Sequence, residues 1–108
     1  MDILIPTFKN EKHFTASIRK AAQQLGWMEY HTGHVPHQDF RNSTSPGFPD
    51  LVLAKPNHMV IFAELKMPKG KLTEHQKQWE QVLRSSAGCM YFIWRPEDWD
   101  SILDLLQQ

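Results

Sequence analysis

Apolar positions change their period along the chain, and each change marks an element. Phe14, Ile18, Ala21, Ala22 and Leu25 recur at three- and four-residue spacing, which predicts a helix over 10–25. Asn10 is suited to cap its start, and Gly26 to take the left-handed position at its end. Trp27–His31 reads as a short strand, followed by a polar stretch from Thr32 to Pro49 without periodicity. A loop of that length inside a small domain usually serves a function. Asp50–Ala54 and Met59–Lys66 read as two strands joined by a turn around Pro56-Asn57-His58. Their apolar residues are continuous (Leu51 to Leu53, Val60 to Ala63) rather than alternating, which predicts a sheet covered on both faces. Thr73–Ser85 is a second helix, with Thr73 and Gln76 at capping-box spacing and Gln76, Trp79, Val82 and Leu83 on one face. Met90–Trp94 is a further strand. Pro96 opens the last helix, with Glu97 and Asp98 in its first turn. The order α-β-β-β-α-β-α predicts an α/β layer architecture.

A chain of 108 residues builds one hydrophobic core, so residues 1–108 are expected to form one domain. Its formal charge is zero, which argues against a protein that coats nucleic acid non-specifically. Only a local basic patch could serve. Lys66, Lys69, Lys71 and Lys77, with His75 among them, form either such a patch or a solvated helix start. No apolar run approaches the roughly 20 residues that span a bilayer, so no membrane partner is expected. Met1–Pro6 lacks the basic and apolar regions of a secretory leader. The single cysteine, Cys89, precludes an intramolecular disulfide. These features predict a cytoplasmic protein. Cys89 lies in an apolar run and is expected to be a buried core residue.

The chemistry centres on Asp50, Glu64 and Lys66. Glu64 and Lys66 are two apart on one strand and so point to the same face. With a three-residue loop at Pro56–His58, Lys55 faces Met59, and the pairing carries on to Asp50 opposite Glu64. Their Cβ atoms would then lie about 5 Å apart. A two-residue loop would shift the register and separate them. Two carboxylates so close repel one another, and a divalent cation resolves the repulsion. Hard oxygen ligands suit Mg2+ or Mn2+. Such an ion acidifies a bound water and stabilises charge on a phosphoryl oxygen. Lys66 would orient the attacking water or stabilise the developing charge, which points to phosphodiester hydrolysis. The plainer alternative makes Asp50 a turn residue after Pro49, with Glu64 and Lys66 an exposed edge pair. The apolar strands that carry these charges weigh against it.

The chain resembles the PD-(D/E)XK nuclease superfamily and, within it, the stand-alone VRR-NUC domains. The residues that match are Ser45-Pro46-Gly47-Phe48-Pro49-Asp50-Leu51, Glu64-Leu65-Lys66, and Gly70-Lys71-Leu72-Thr73 leading to Gln76. Tyr91 to Pro96 is similar to the closing strand, and Leu25-Gly26-Trp27 with His31-Thr32 fits the first helix and strand. The resemblance implies a restriction-endonuclease-like core with a mixed central sheet flanked by helices. It implies Asp50, Glu64 and the Leu65 carbonyl as metal ligands, with Glu11 reaching the metal directly or through water. It implies Lys66 as the catalytic lysine and Gln76 as a glutamine bordering the site. It further implies a DNA substrate, branched, flapped or junction-shaped, and a homodimer. Fused relatives carry extra DNA-binding domains; none is expected within these 108 residues, so their flap specificity is not carried over.

Several of these residues fit a second role. Gln76 completes the capping box as well as bordering the site. Glu11 suits the helix macrodipole, although it lies on the apolar stripe. Ser45 and Gly47 either shape the turn before the strand or, at Gly47, admit a phosphate backbone. Arg41 and His37 suit phosphate contacts in the long loop, alongside Lys69, Lys71 and Lys77. His31, His34 and His37, with Asp39, conceivably bind zinc, although structural zinc generally takes four ligands, often cysteines. Trp27, Trp79, Trp94 and Trp99 read as core or interface residues. The alternatives to a nuclease are a non-catalytic DNA-binding module that keeps the fold, and an assembly protein working through a dimer interface.

Overall fold

The computed structural model describes residues 7–32 and 46–108. Arg41, Ser45, His34, His37 and Asp39 lie outside the described residues. Helix α1 (Glu11–Gln24) starts where expected, with the Asn10 side chain accepting a hydrogen bond from the His13 amide at 2.9 Å. It ends before Gly26, whose φ of +93° is a conformation that side-chain-bearing residues rarely adopt. Strands β1 (Met28–His31), β2 (Leu51–Ala54) and β3 (Val60–Leu65) follow, then helix α2 (Glu74–Arg84) and strand β4 (Cys89–Trp94). Pro96 opens a 3-10 turn, Pro96–Asp98, which leads into helix α3 (Trp99–Leu106).

The four strands lie side by side in the order β1-β2-β3-β4. The first three form an antiparallel meander, and β4 joins β3 in parallel through the α2 crossover. The sheet is therefore mixed. The β2–β3 hairpin takes the three-residue loop expected, with Asn57 at φ +68° and the His58 amide bonded to the Lys55 carbonyl at 3.1 Å. Asparagine is among the few residues that tolerate this left-handed position. The loop sets Leu51 opposite Ala63 and Leu53 opposite Ile61.

One face of the sheet carries Leu51, Leu53, Ile61, Ala63, Leu65 and Trp94, all buried against Phe14, Ile18 and Ala22 of α1 and Ile102 and Leu106 of α3. The opposite face is covered less completely than the apolar runs predict. Helix α2 lies over β3 and β4 but buries only Leu83, and its Val82 is 58% exposed. Over β1 no described residue covers that face, with Met28 at 80% and Tyr30 at 66% exposure. The continuous runs in β2 and β3 reflect central strands, but α2 is too polar to cover the whole sheet. Cys89 also departs from expectation: it is half-buried at the start of β4, with its thiol near the Leu83 carbonyl at 3.7 Å. Trp27 and Trp94 belong to the core, as read from the sequence.

The buried indole N–H of Trp27 donates to the Leu106 carbonyl at 2.9 Å, tying the start of β1 to the end of α3. Trp27→Phe keeps most of the ring but leaves that carbonyl without its donor. A loss of about 1–3 kcal/mol is expected, read as a lowered urea midpoint with unchanged slope.

Candidate active site

The hairpin register brings the two acids together. Asp50 immediately precedes β2, opposite Glu64 when the Leu51–Ala63 pairing is extended by one residue. Its backbone is held on the other side by Thr32, whose amide donates to the Asp50 carbonyl at 2.9 Å. Its carboxylate accepts a hydrogen bond from the Leu65 amide at 2.8 Å. Asp50 thus has a fixed backbone and an anchored side chain.

Glu64 is 2% exposed, in the middle of the face covered by α2. Its Oε1 accepts a hydrogen bond from Gln76 Nε2 at 3.1 Å. Its Oε2 is buried with no donor among the described residues. Burial, together with the hydrogen bond and charge of Asp50, pushes the Glu64 carboxyl from its ordinary 4.5 up to about 9, against the opposing pull of Lys66. A buried, half-satisfied carboxyl beside a second carboxylate holds either a proton or a cation. The donor set fits a small hard divalent ion such as Mg2+ or Mn2+.

Gln76 performs both roles read from the sequence. Its side-chain oxygen accepts from the Thr73 amide at 2.8 Å, and the Thr73 hydroxyl accepts from the Gln76 amide at 3.2 Å, closing a capping box. The other end of the same amide reaches Glu64. Gly47 packs against this helix start. With φ +84°, a Cβ there would lie 2.4 Å from the His75 carbonyl carbon and 2.6 Å from the Gln76 nitrogen. The close approach at Gly47 is therefore to the α2 backbone.

Lys66 follows β3, with its amide bonded to the Trp94 carbonyl at 2.9 Å. Its side-chain stem runs beside Gly70, where a Cβ would meet Cδ at 3.3 Å. The intervening loop is braced by Arg95, whose Nη1 donates to the Met67 carbonyl at 2.7 Å and the Gly70 carbonyl at 2.9 Å. Lys69, Lys71 and Lys77 are exposed around this corner. Lys77 pairs with Glu74 at 3.4 Å.

Glu11, in the first turn of α1, stands across a cavity of about 600 Å³ that Asp50 also lines. Its charge adds to the field that raises Glu64. Among the described residues no three acidic, histidine or cysteine side chains converge as a metal-ligating cluster, so Glu11 borders the Asp50–Glu64 pair without joining it. The cavity wall holds a group absent from the sequence reading. Arg19 of α1 meets Glu29 of β1 through Nε at 2.7 Å and Nη2 at 3.0 Å, and Gln23 adds a third hydrogen bond at 2.9 Å. The Arg19 hydrogen bonds hold the Glu29 carboxyl below its ordinary range. A basic residue on α1 and an acid on β1 are ordinary surface signals. Only the packing of helix on strand shows that they meet.

A model of the VRR-NUC domain family matches residues 5–95. The chain belongs to the VRR-NUC domain family, a nuclease-type class of DNA-processing modules. Among solved structures, one described as a VRR_NUC domain is similar in fold, with a TM-score of 0.65 and 17% sequence identity. The match covers 87% of this chain and 94% of that one. No curated protein matches the chain.

The proton on Glu64 gives stability a pH dependence. The folded state holds it up to about pH 9, whereas the unfolded chain releases it near 4.5. The folded state therefore binds the extra proton over this window, and the contribution is complete below 4.5 and lost as pH rises toward 9. Thermal melts in EDTA should show wild type weakening across that range, with Glu64→Gln flattening the slope. Gly47→Ala should lower the melting temperature and loosen the first turn of α2, read as faster amide exchange there.

Proposed function

We propose that this chain is a Mg2+- or Mn2+-dependent DNA endonuclease that hydrolyses phosphodiester bonds, with Asp50, Glu64 and Lys66 as its catalytic set. The observation that carries this reading is the pairing of Asp50 with a buried Glu64 whose Oε2 has no donor among the described residues. A DNA-binding module without catalysis has no use for two opposed carboxyls, one of them buried. Membership of the nuclease-type family supports the same reading.

Asp50 and Glu64 would hold the cation, with the Leu65 carbonyl beside them and Glu11 contributing across the cavity through water. The ion supplies Lewis acidity toward a phosphoryl oxygen and lowers the pKa of water. Asp50, anchored by the Leu65 amide, presents a carboxylate of fixed direction. Gln76 holds Glu64 Oε1, so Oε2 is the oxygen that would be available to hold the ion. Lys66 places an ammonium beside the pair. There it orients the attacking water and neutralises the charge that develops as a new P–O bond forms and the ester P–O bond breaks. Lys69, Lys71 and Lys77 suit phosphate contacts along the exposed corner, with Gly47 at its turn, and Arg41 and Ser45 extend the set by sequence.

The preferred substrate on this reading is branched, flapped or junction DNA, and the active form is a homodimer. The exposed Met28 and Tyr30 on β1, the edge strand among the described residues, suit a second copy. Among the described residues no helix is long and apolar enough to cross a membrane.

Cleavage of end-labelled linear, flapped and four-way-junction DNA tests the reading. Asp50→Ala, Glu64→Ala and Lys66→Ala should each slow cutting by at least about 100-fold while remaining folded. Full activity in any one of them sinks the assignment. Mn2+ at 100 times its Kd should stabilise the wild type by about 2.7 kcal/mol and leave Glu64→Ala unmoved.

A further inference from the structure

The groove between α1 and β1 extends beyond the two acids, Glu11 and Asp50, that serve the hydrolytic step. It is the same cavity of about 600 Å³, and besides Glu11 and Asp50 its walls carry Lys12, Arg19 and His31. Resting on the nuclease reading, we infer that this groove holds a DNA phosphate flanking the scissile one, bound chiefly by Arg19 with Lys12 and His31 beside it.

Three observations carry the inference. First, the Arg19 guanidinium is locked in place. Glu29 takes Nε and Nη2, and the Glu29 side chain is itself 9% exposed while that of Arg19 is 39% exposed. A cation fixed by a buried acid loses little side-chain freedom when it binds an anion. Second, Nη1 is not taken by Glu29 and makes only a long contact, 3.4 Å, with His31 Nδ1. Arginine carries five donors, and the two hydrogen bonds to Glu29 and the one long contact to His31 leave a second proton on Nη1 and on Nη2 for a phosphate oxygen. Third, Asp50 lines the same cavity. A strand whose scissile phosphate sits at Asp50 and Glu64 continues past these side chains.

The plainer role for Arg19 is a tie between α1 and β1, and the two roles predict opposite effects of one substitution. As a tie, Arg19 depends on Glu29, so Arg19→Met and Glu29→Gln both loosen the groove. As a phosphate ligand, Arg19 is partly neutralised by Glu29. Glu29→Gln removes that charge but keeps a side-chain oxygen to accept from the guanidinium and hold it in place, so DNA binding should stay equal or tighten.

Binding of a labelled flapped duplex, and of the corresponding linear duplex, is measured by anisotropy in Ca2+ over a series of salt concentrations. Arg19→Met should raise Kd several-fold on both duplexes and lower the log–log salt slope by about one, with Mn2+ still raising its melting temperature. Glu29→Gln should bind as tightly as wild type or tighter. Lys12→Ala, on the exposed face of α1, keeps the test open if Arg19→Met fails to fold, and should also lower the slope. Unchanged binding by Arg19→Met, or by Lys12→Ala where Arg19→Met does not fold, overturns the inference. Weakening by Glu29→Gln comparable to that by Arg19→Met also overturns it, in favour of the tie. If Lys66→Ala abolishes cleavage while Arg19→Met binds normally, only the groove assignment fails. A wild type that binds no DNA overturns both readings.

Discussion

The Leu65 amide donates to the Asp50 carboxylate across 2.8 Å, just beyond the last paired residues of the β2–β3 hairpin. Most of the site depends on that bond and on the three-residue loop that makes it possible. A loop one residue shorter would turn the alternate side chains of one strand to the other face. Asp50 would leave Glu64, and Leu51 would leave the core. Burial of Leu51 and Leu53 against α1 therefore enforces the same register that the carboxyl pair needs. The apolar face stabilises an arrangement that the polar face by itself would oppose.

The opposition is real: Glu64 is buried beside another acid, with one oxygen unpartnered among the described residues. Its environment gathers several partial remedies rather than one full one. Gln76 donates to one oxygen, Lys66 brings a positive charge, and a proton or cation takes the remainder. Structures keep such local conflict at functional positions and offset it elsewhere. Here the offset lies in the cluster of Phe14, Ile18, Leu53, Ile61 and Leu106 beneath the sheet.

Much of this was legible in the sequence because it follows from short-range rules. The Asn10 cap, the left-handed Gly26, the capping box at Thr73 and the hairpin register depend on residues a few positions apart, and each is found as read. The Asp50–Glu64 pair follows from register alone. What escaped depends on how elements pack. Arg19 and Glu29 meet only because α1 crosses β1 at one height, and Arg95 reaches back to carbonyls more than twenty residues earlier. The poor burial of α2 also escaped, because Trp79 and Val82 at helical spacing look like a core face whether or not a sheet lies beneath them.

Gln76 joins two things that usually vary independently. One amide closes the first turn of α2 and restrains the buried oxygen of Glu64. Binding at that carboxyl and closure of the helix start are therefore linked through one side chain, and whatever either does to the other is returned by the same free energy. The crossover helix is in this sense a reporter of site occupancy, and a ligand arriving at the sheet would be felt along α2 toward β4.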